Sequence, residues 1–466
     1  MRVLLYGLLG WMVQANAADW ARFRGPNGSG VDAVSKGLPV EFGPSKNVLW
    51  KAAVPYGRSS PVLFGDRLYL TAGEGDALVT LCYRRTDGKL LWRQALKKAH
   101  TQDLYKDADG TSPSVTADAA GVYVFFAEFG LIAYTPEGKE RWRHPLGPFD
   151  NFYGMASSPV LEGDTLLMLC DQTAKSFLLA LDRNTGKPKW KTERVGMTMS
   201  WSVPIVWAPA GQPKQVVVVG SSSVDSYYLA TGERRWWMPV ASEGTIAVPA
   251  ADGDSLILST SGHNGAWAIP YQQLLASYDK DKNGTVSKQE FQGYADWKDH
   301  FGWIDADRSG AIDSREWTTL NEFGRGEYGA VRITPGNATG ALPPSATKWR
   351  VKKQVPYVPS PLLYHGVYYM VKDGGIVTAL NPETGAVLKQ GRAAQSLGTY
   401  YASPVAADGK VFLLNAEGKL TVLKAGAQWE VLGVNDLQED TFATPAIADN
   451  RIYVRTRGAL YCFGAK

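Results

Sequence analysis

A short motif recurs along this chain at a nearly fixed interval, and fixed-period repetition constrains a fold more than any other feature of a sequence. A small or polar residue followed by Pro opens an apolar run at Pro61, Pro113, Pro159, Pro204, Pro249, Pro361, Pro404 and Pro445. The intervals are 52, 46, 45, 45, 112, 43 and 41 residues, so 67 residues beyond the usual 45 are inserted in the fifth. A second motif, a Gly turn followed by Trp, reads RTDGKLLW to Trp92, PEGKERW to Trp142, DRNTGKPKW to Trp190 and LATGERRW to Trp236. Trp349 follows the insertion. The sixth unit has Lys389 where Trp is expected, and in the seventh Trp429 arrives late. The eighth has none of its own, yet Trp50 in NVLWKAAV precedes the first Pro motif as if it completed that unit.

Within each unit short β-rich runs alternate with turn signals. The third unit shows four of them: SSPVLEG, DTLLMLCD, SFLLALD and KPKWKTE. Four strands at a period of about 40–45 residues are the pattern of a propeller blade. A blade cannot bury both faces alone, so neighbours stack around an axis, and the periodic Trp residues pack between them. The expected fold is all-β: an eight-bladed β-propeller of four-stranded blades, with the N-terminal strand around Trp50 closing the last blade so that no sheet edge stays free.

Composition agrees with this. Apolar residues make up 45% of the chain, enough for a large core, and its 16 Trp are an unusually heavy load, part of it periodic. Lys plus Arg (49) exceed Asp plus Glu (45) by only four, which argues against nucleic acid as a partner. The three Cys (Cys82, Cys170, Cys462) are too scattered for a disulfide framework and read as buried small hydrophobes. At the N-terminus Arg2, the apolar run Val3 to Val13 and Ala15-Asn16-Ala17 have the form of a secretory leader, residues 1–17, cleaved near Ala17. An eleven-residue run is too short to span a bilayer as a helix. No Cys precedes Cys82, so neither a transmembrane segment nor a lipid anchor is expected, and the mature chain, 18–466, is expected in the periplasm or secreted.

The segment Ala180-Leu181-Asp182-Arg183-Asn184-Thr185-Gly186-Lys187-Pro188-Lys189-Trp190 resembles the AxDxxTGxxxW repeat of the PQQ-like (quinoprotein-type) β-propeller family. The opening WARFRGPNGSGV, Trp20 to Val31, is similar to the start of secreted propellers of Planctomycetes and related bacteria. The resemblance implies one of two functional branches. PQQ-dependent alcohol dehydrogenases carry an adjacent Cys pair and an Asp base beside a face-bound Ca²⁺; no two Cys are adjacent here. BamB-like scaffolds of outer-membrane protein assembly bind no cofactor, and BamB is a lipoprotein whose anchoring Cys is missing here.

The insertion, expected over 268–327, holds two calcium-loop patterns. In DKDKNGTVSKQE, Asp279, Asp281 and Asn283 fill positions 1, 3 and 5; Gly284 makes the sharp bend; Thr285 offers its carbonyl, Ser287 stands at 9 and Glu290 closes at 12. In DADRSGAIDSRE the set is Asp305, Asp307, Ser309, Gly310, the carbonyl of Ala311, Asp313 and Glu316. Ca²⁺ takes six to eight hard oxygens, and a bidentate Glu at the last position supplies two of them. Val286 and Ile312, at position 8, are the residues that pair such loops, and apolar residues at helical spacing flank both. The insertion is therefore expected to be a small α-helical EF-hand pair in blade five, binding one or two Ca²⁺. Only fourteen residues, Phe291 to Ile304, separate the loops, which predicts a single shared helix and strained loop pairing.

The resemblance makes the Pro-motif strand innermost, so residues just before it gather on one face: Tyr56, Arg58, Asp109, Asn151, Tyr153, Trp201, Glu243, Tyr357, Tyr400, Tyr401, Glu439 and Asp440. Aromatics mixed with charges suit a ligand mouth or a peptide surface. No HxxxH, GxSxG or GxxxxGK[ST] pattern is present. The reading is a calcium-binding propeller acting as a protein- or ligand-binding scaffold of the cell envelope. The alternative is a PQQ-dependent dehydrogenase oxidising an alcohol or sugar, in which Arg58 would meet the PQQ carboxylates and Trp201 its ring.

Overall fold

Runs of apolar residues four to eight long, ended by Gly turns, become strands buried on both faces. In the third unit the strands are Val160–Glu162, Thr165–Cys170, Phe177–Asp182 and Pro188–Glu193, each pairing antiparallel with the next. The second strand is buried throughout and the third nearly so, while the fourth alternates with solvent. The computed structural model describes residues 19–98, 108–151, 153–173, 175–242, 244, 246–262, 269–294, 298–305, 308–393 and 395–465. The expected leader, Asp307 and Glu243 lie outside them.

Eight such sheets form the expected eight-bladed propeller. The eighth is completed by Val48–Ala53, which pairs with Ala459–Phe463 and sets Trp50 opposite Cys462. All three Cys are buried and free, and burial pushes the Cys82 and Cys462 thiols up to about 12.

Each pair of neighbouring blades is joined near the axis by a hydrogen bond around the Pro motif. The amide two residues before one inner strand donates to the hydroxyl at the same place in the next: Ser60 to Ser114 and Ser114 to Ser158. The series resumes with Val248 to Ser360, Ser360 to Ser403, Ser403 to Thr444 and Thr444 back to Ser60. At the two remaining boundaries Val203 and Val248 have no hydroxyl. There Ser157 donates to the Ser202 carbonyl and Ser202 to that of Ala247. Pro113 departs from the pattern: it stands three residues before its inner strand, Thr116–Asp118, where the other seven Pro stand one before theirs. The Ser114 hydroxyl, not the Pro, keeps the register there.

The Trp residues pack between blades with a definite geometry. Trp50, Trp92, Trp142, Trp190 and Trp349 each donate their indole N–H to a carbonyl of the next blade's turn, at 2.7–3.0 Å. The turn Gly lies beneath the ring; at Gly186, with φ +68°, a Cβ would stand 2.6 Å from Trp142. This explains why Gly and Trp recur together. Blades six and seven solve the missing Trp differently: Trp429 of blade seven reaches back over Gly391, and Lys389 donates to its carbonyl at 2.6 Å. Blade four gains a fifth strand, as Gly340–Ala341 pairs parallel to Trp236 and Trp237.

The segment ahead of Trp50 runs along the inner strands. Trp20 bridges to Leu63 of blade one and Val31 to Ala406 of blade seven. Arg22 donates to the Pro204 carbonyl, and Arg24 to the carbonyls of Ser360, Pro361, Gly28 and Ser29. Arg24 is only 1% exposed. Burial pushes its guanidinium down to about 9, which still leaves it charged at neutral pH and dependent on those carbonyls.

Candidate functional site

Topology decides which residues share a face. Each inner strand starts at one end of the ring, and the chain returns to that end after its second and fourth strands. The inter-blade loops and the second turn of every blade therefore lie together. The insertion of blade five separates its second and third strands, Ser255–Thr260 and Gly329–Ile333, so it leaves the ring on this same face.

The face residues fall into clusters. The Arg58 guanidinium lies 4.4 Å above the Phe442 ring, donates to the Tyr56 hydroxyl at 3.1 Å and stands 3.5 Å from Asp109. Trp201, three loops further round, donates its N–H to the Gly154 carbonyl at 2.8 Å, meets Tyr153 edge-on at 5.6 Å and packs over Gly244. The structure thus places the two residues expected to hold PQQ in separate clusters. Close to Trp201 in the chain, Arg194 bonds Asp171 at 2.7 Å and Asp225 at 3.0 Å, all fully buried. Burial pushes the Asp171 carboxyl above its ordinary value although Arg194 pulls it down. This network was not legible in the sequence, since its members lie on three different strands or their ends. Two expected face residues are instead interior: Tyr400 bonds Ser396 and Asn151 the Asp171 carbonyl, at 1% and 3% exposure. Among the exposed large hydrophobics, the tyrosines Tyr56, Tyr153, Tyr357 and Tyr401 all lie on these loops.

The insertion has an apolar core of its own, with Leu274, Phe291, Phe301, Ile304, Trp317 and Leu320 among its buried residues. Its helices are α1 (Tyr271–Tyr278), α2 (Lys288–Phe291), α3 (Phe301–Ile304) and α4 (Ser314–Arg325). The expected single helix between the loops is not what forms. The helix α2 stops after one turn, where Gly293 and Tyr294 bond three residues back, and the chain re-enters helix through a 3-10 turn at Lys298–His300 that leads into α3. This break removes the strain expected of loop pairing: Val286 pairs with Ile312 and Ser287 with Ala311.

In loop one, carboxylate oxygens of Asp279, Asp281 and Glu290 lie within 4.8 Å of one another. Oxygens on opposite sides of one Ca²⁺ stand about 4.6–5.2 Å apart, twice the Ca–O distance, so these residues fit the ion. Backbone shapes the loop: Gly284 has φ +85° and its N–H donates to Asp279 at 3.0 Å, as does that of Asn283 at 3.1 Å. The Asn283 amide oxygen accepts from Thr285. Ser287 caps α2 and bonds Glu290, whose carboxyl is drawn down to about 2 by the Ser287 hydroxyl and by the Ser287 and Lys280 amides. Loop two repeats this. Gly310 has φ +88° and donates to Asp305 at 3.0 Å, Ser309 bonds the Ala311 carbonyl, and Asp313 and Glu316 form the same reciprocal cap.

The sequence profile of the family described as outer membrane protein assembly factor BamB matches residues 40–289 and 338–466. The chain belongs to this BamB-like family. An EF-hand profile matches residues 298–321, around loop two. No curated protein matches the chain in sequence. The BamB-like fold recurs in the crystal structure of BamB from Moraxella catarrhalis, 13% identical, which covers 89% of this chain and 98% of that one with a TM-score of 0.55. The quinohemoprotein alcohol dehydrogenase from Comamonas testosteroni is also 13% identical, covers 96% of this chain and 81% of its own, and has a TM-score of 0.59. The computationally designed Ika8 protein, 11% identical, covers 90% of this chain and 100% of its own with a TM-score of 0.53. At such identities these likenesses concern the fold. Among the described residues no helix is long and apolar enough to cross a membrane.

Proposed function

We propose that this BamB-like propeller is a calcium-stabilised scaffold of the cell envelope that holds a protein or small ligand on its loop face. The observation that carries the reading is the gathering of Tyr56, Tyr153, Tyr357 and Tyr401, 36–50% exposed, on the loops of that face. Tyr supplies large contact area with little side-chain entropy to lose, and anchors of this kind dominate binding surfaces. In this reading residues 1–17 are a leader removed near Ala17, 18–466 form the mature propeller in the periplasm or outside the cell, and 268–327 are its EF-hand pair. One ion is held by Asp279, Asp281, Asn283, Thr285, Ser287 and Glu290, the other by Asp305, Asp307, Ser309, Ala311, Asp313 and Glu316. The ion supplies positive charge that lets the crowded carboxylates of each loop approach.

A photo-crosslinking residue placed in turn at Tyr153, Tyr401 and Leu90 tests the face. Leu90 lies on the outer strand of blade one and is 45% exposed. The proposal expects the same adduct from both face positions and none from Leu90; adducts from Leu90 alone would overturn it. Calorimetric titration with PQQ in millimolar Ca²⁺ is expected to show no saturable heat. One-to-one binding at micromolar concentration would replace the scaffold by the dehydrogenase reading.

A further inference from the structure

The two calcium loops are alike in backbone and unlike in surroundings. Lys282 and Arg308 both occupy position 4, and both have the left-handed backbone that the loop imposes, φ +59° and +60°. Lys282 forms no ion pair among the described residues. Arg308, by contrast, reaches out of the insertion to Asp150 of the propeller, N to O 2.9 Å. Asp150 belongs to the loop between blades two and three, although the insertion springs from blade five. It is firmly held, for its amide donates to the Gln172 side chain at 2.9 Å and its carbonyl accepts from Thr173 at 2.8 Å.

Asp150 immediately precedes a tight turn that opens at Asn151. Gly154 donates to the Asn151 carbonyl at 2.9 Å and Tyr153 to the Asn151 side chain at 3.2 Å. The Gly154 carbonyl in turn accepts the Trp201 N–H. Position 4 of loop two is thus tied to Asp150, whose next residue along the chain, Asn151, starts the turn that carries Tyr153 and accepts the Trp201 N–H. We propose that Asp150 is a positioning residue for the second calcium loop, and that through Arg308 a cation in this loop and the Tyr153–Trp201 cluster are coupled. This rests on the reading of the loops as Ca²⁺ sites. Coupling is reciprocal: whatever firms the turn at 150–154 tightens the ion, and the ion firms the turn.

The test uses the full mature chain carrying Glu290→Gln, so that calorimetry with Ca²⁺ reports loop two alone. An exposed ion pair of this kind is worth about 0.2–1 kcal/mol, so Asp150→Asn is expected to weaken Ca²⁺ binding about 1.4- to 5-fold. Arg308→Ala is expected to weaken it too, while Arg308→Lys restores it. If Arg308 acted only as a positive charge near the ion, Arg308→Ala would tighten binding instead. Hydrogen exchange adds a second readout: Ca²⁺ protects the amides of 149–155 in the parent and not in Asp150→Asn. Absence of any Ca²⁺ heat in the parent would refute the reading of loop two. Normal Ca²⁺ heat with unchanged affinity in Asp150→Asn, or equal protection of 149–155 in both, would refute the coupling while leaving the loops as calcium sites.

Discussion

The ring and the insertion are held together by different physics. In the ring the same few bonds recur at each boundary: a hydroxyl link at the axis and, at five boundaries, an indole laid over a Gly turn. Stability is spread over many similar contacts, as in other repeat architectures. The insertion has one small core and, in loop one, acidic side chains brought together. Without a cation those groups repel, so in the proposed reading the order of the insertion depends on Ca²⁺ as well as on its core. One chain thus contains, in that reading, a part indifferent to calcium and a part that needs it, joined at blade five and, through Arg308 and Asp150, on the face.

Substitutions in the ring sharpen this contrast. The largest effect is expected for Arg24→Met, which keeps bulk and removes the donors serving the Ser360 and Pro361 carbonyls. Unsatisfied buried groups cost about 1–3 kcal/mol each, so a loss of about 3 kcal/mol or more is expected in denaturant unfolding. Calcium is expected to leave that loss unchanged. Ser360→Ala removes the acceptor of the Val248 amide at the boundary of blades five and six and is expected to cost about 1–3 kcal/mol by the same measurement. Lys389→Ala is the mildest. It removes a bond to the Trp429 carbonyl and a cation lying 4.6 Å from that ring, worth about 0.5–1 kcal/mol at a partly exposed site.

Much of the ring was legible because each blade repeats its instructions. The Pro motif marks the inner strand and the Gly–Trp pair marks the dock between blades, so irregular units could be read from regular ones. The sequence was ambiguous where a tertiary neighbour decides. Pro113 does not show that Ser114 sets the register of blade two, and Lys389 does not show that Trp429 fills the gap from the next blade. The calcium-loop pattern was legible, since oxygen-bearing residues at fixed positions around Gly284 and Gly310 are a local signal. The break after α2 was missed because counting residues between the loops assumed that all of them would be helical. Arg308 gave no signal at all, for its partner Asp150 lies 158 residues away in the chain.

The most direct measurement is hydrogen exchange of the mature protein in calcium and in chelator, read peptide by peptide. The account predicts that amides of 271–325 lose protection when calcium is removed, while those of the inner and central strands of blades one to three keep theirs. Equal protection of the insertion under both conditions would contradict the account, and so would a loss of protection spreading through all the blades.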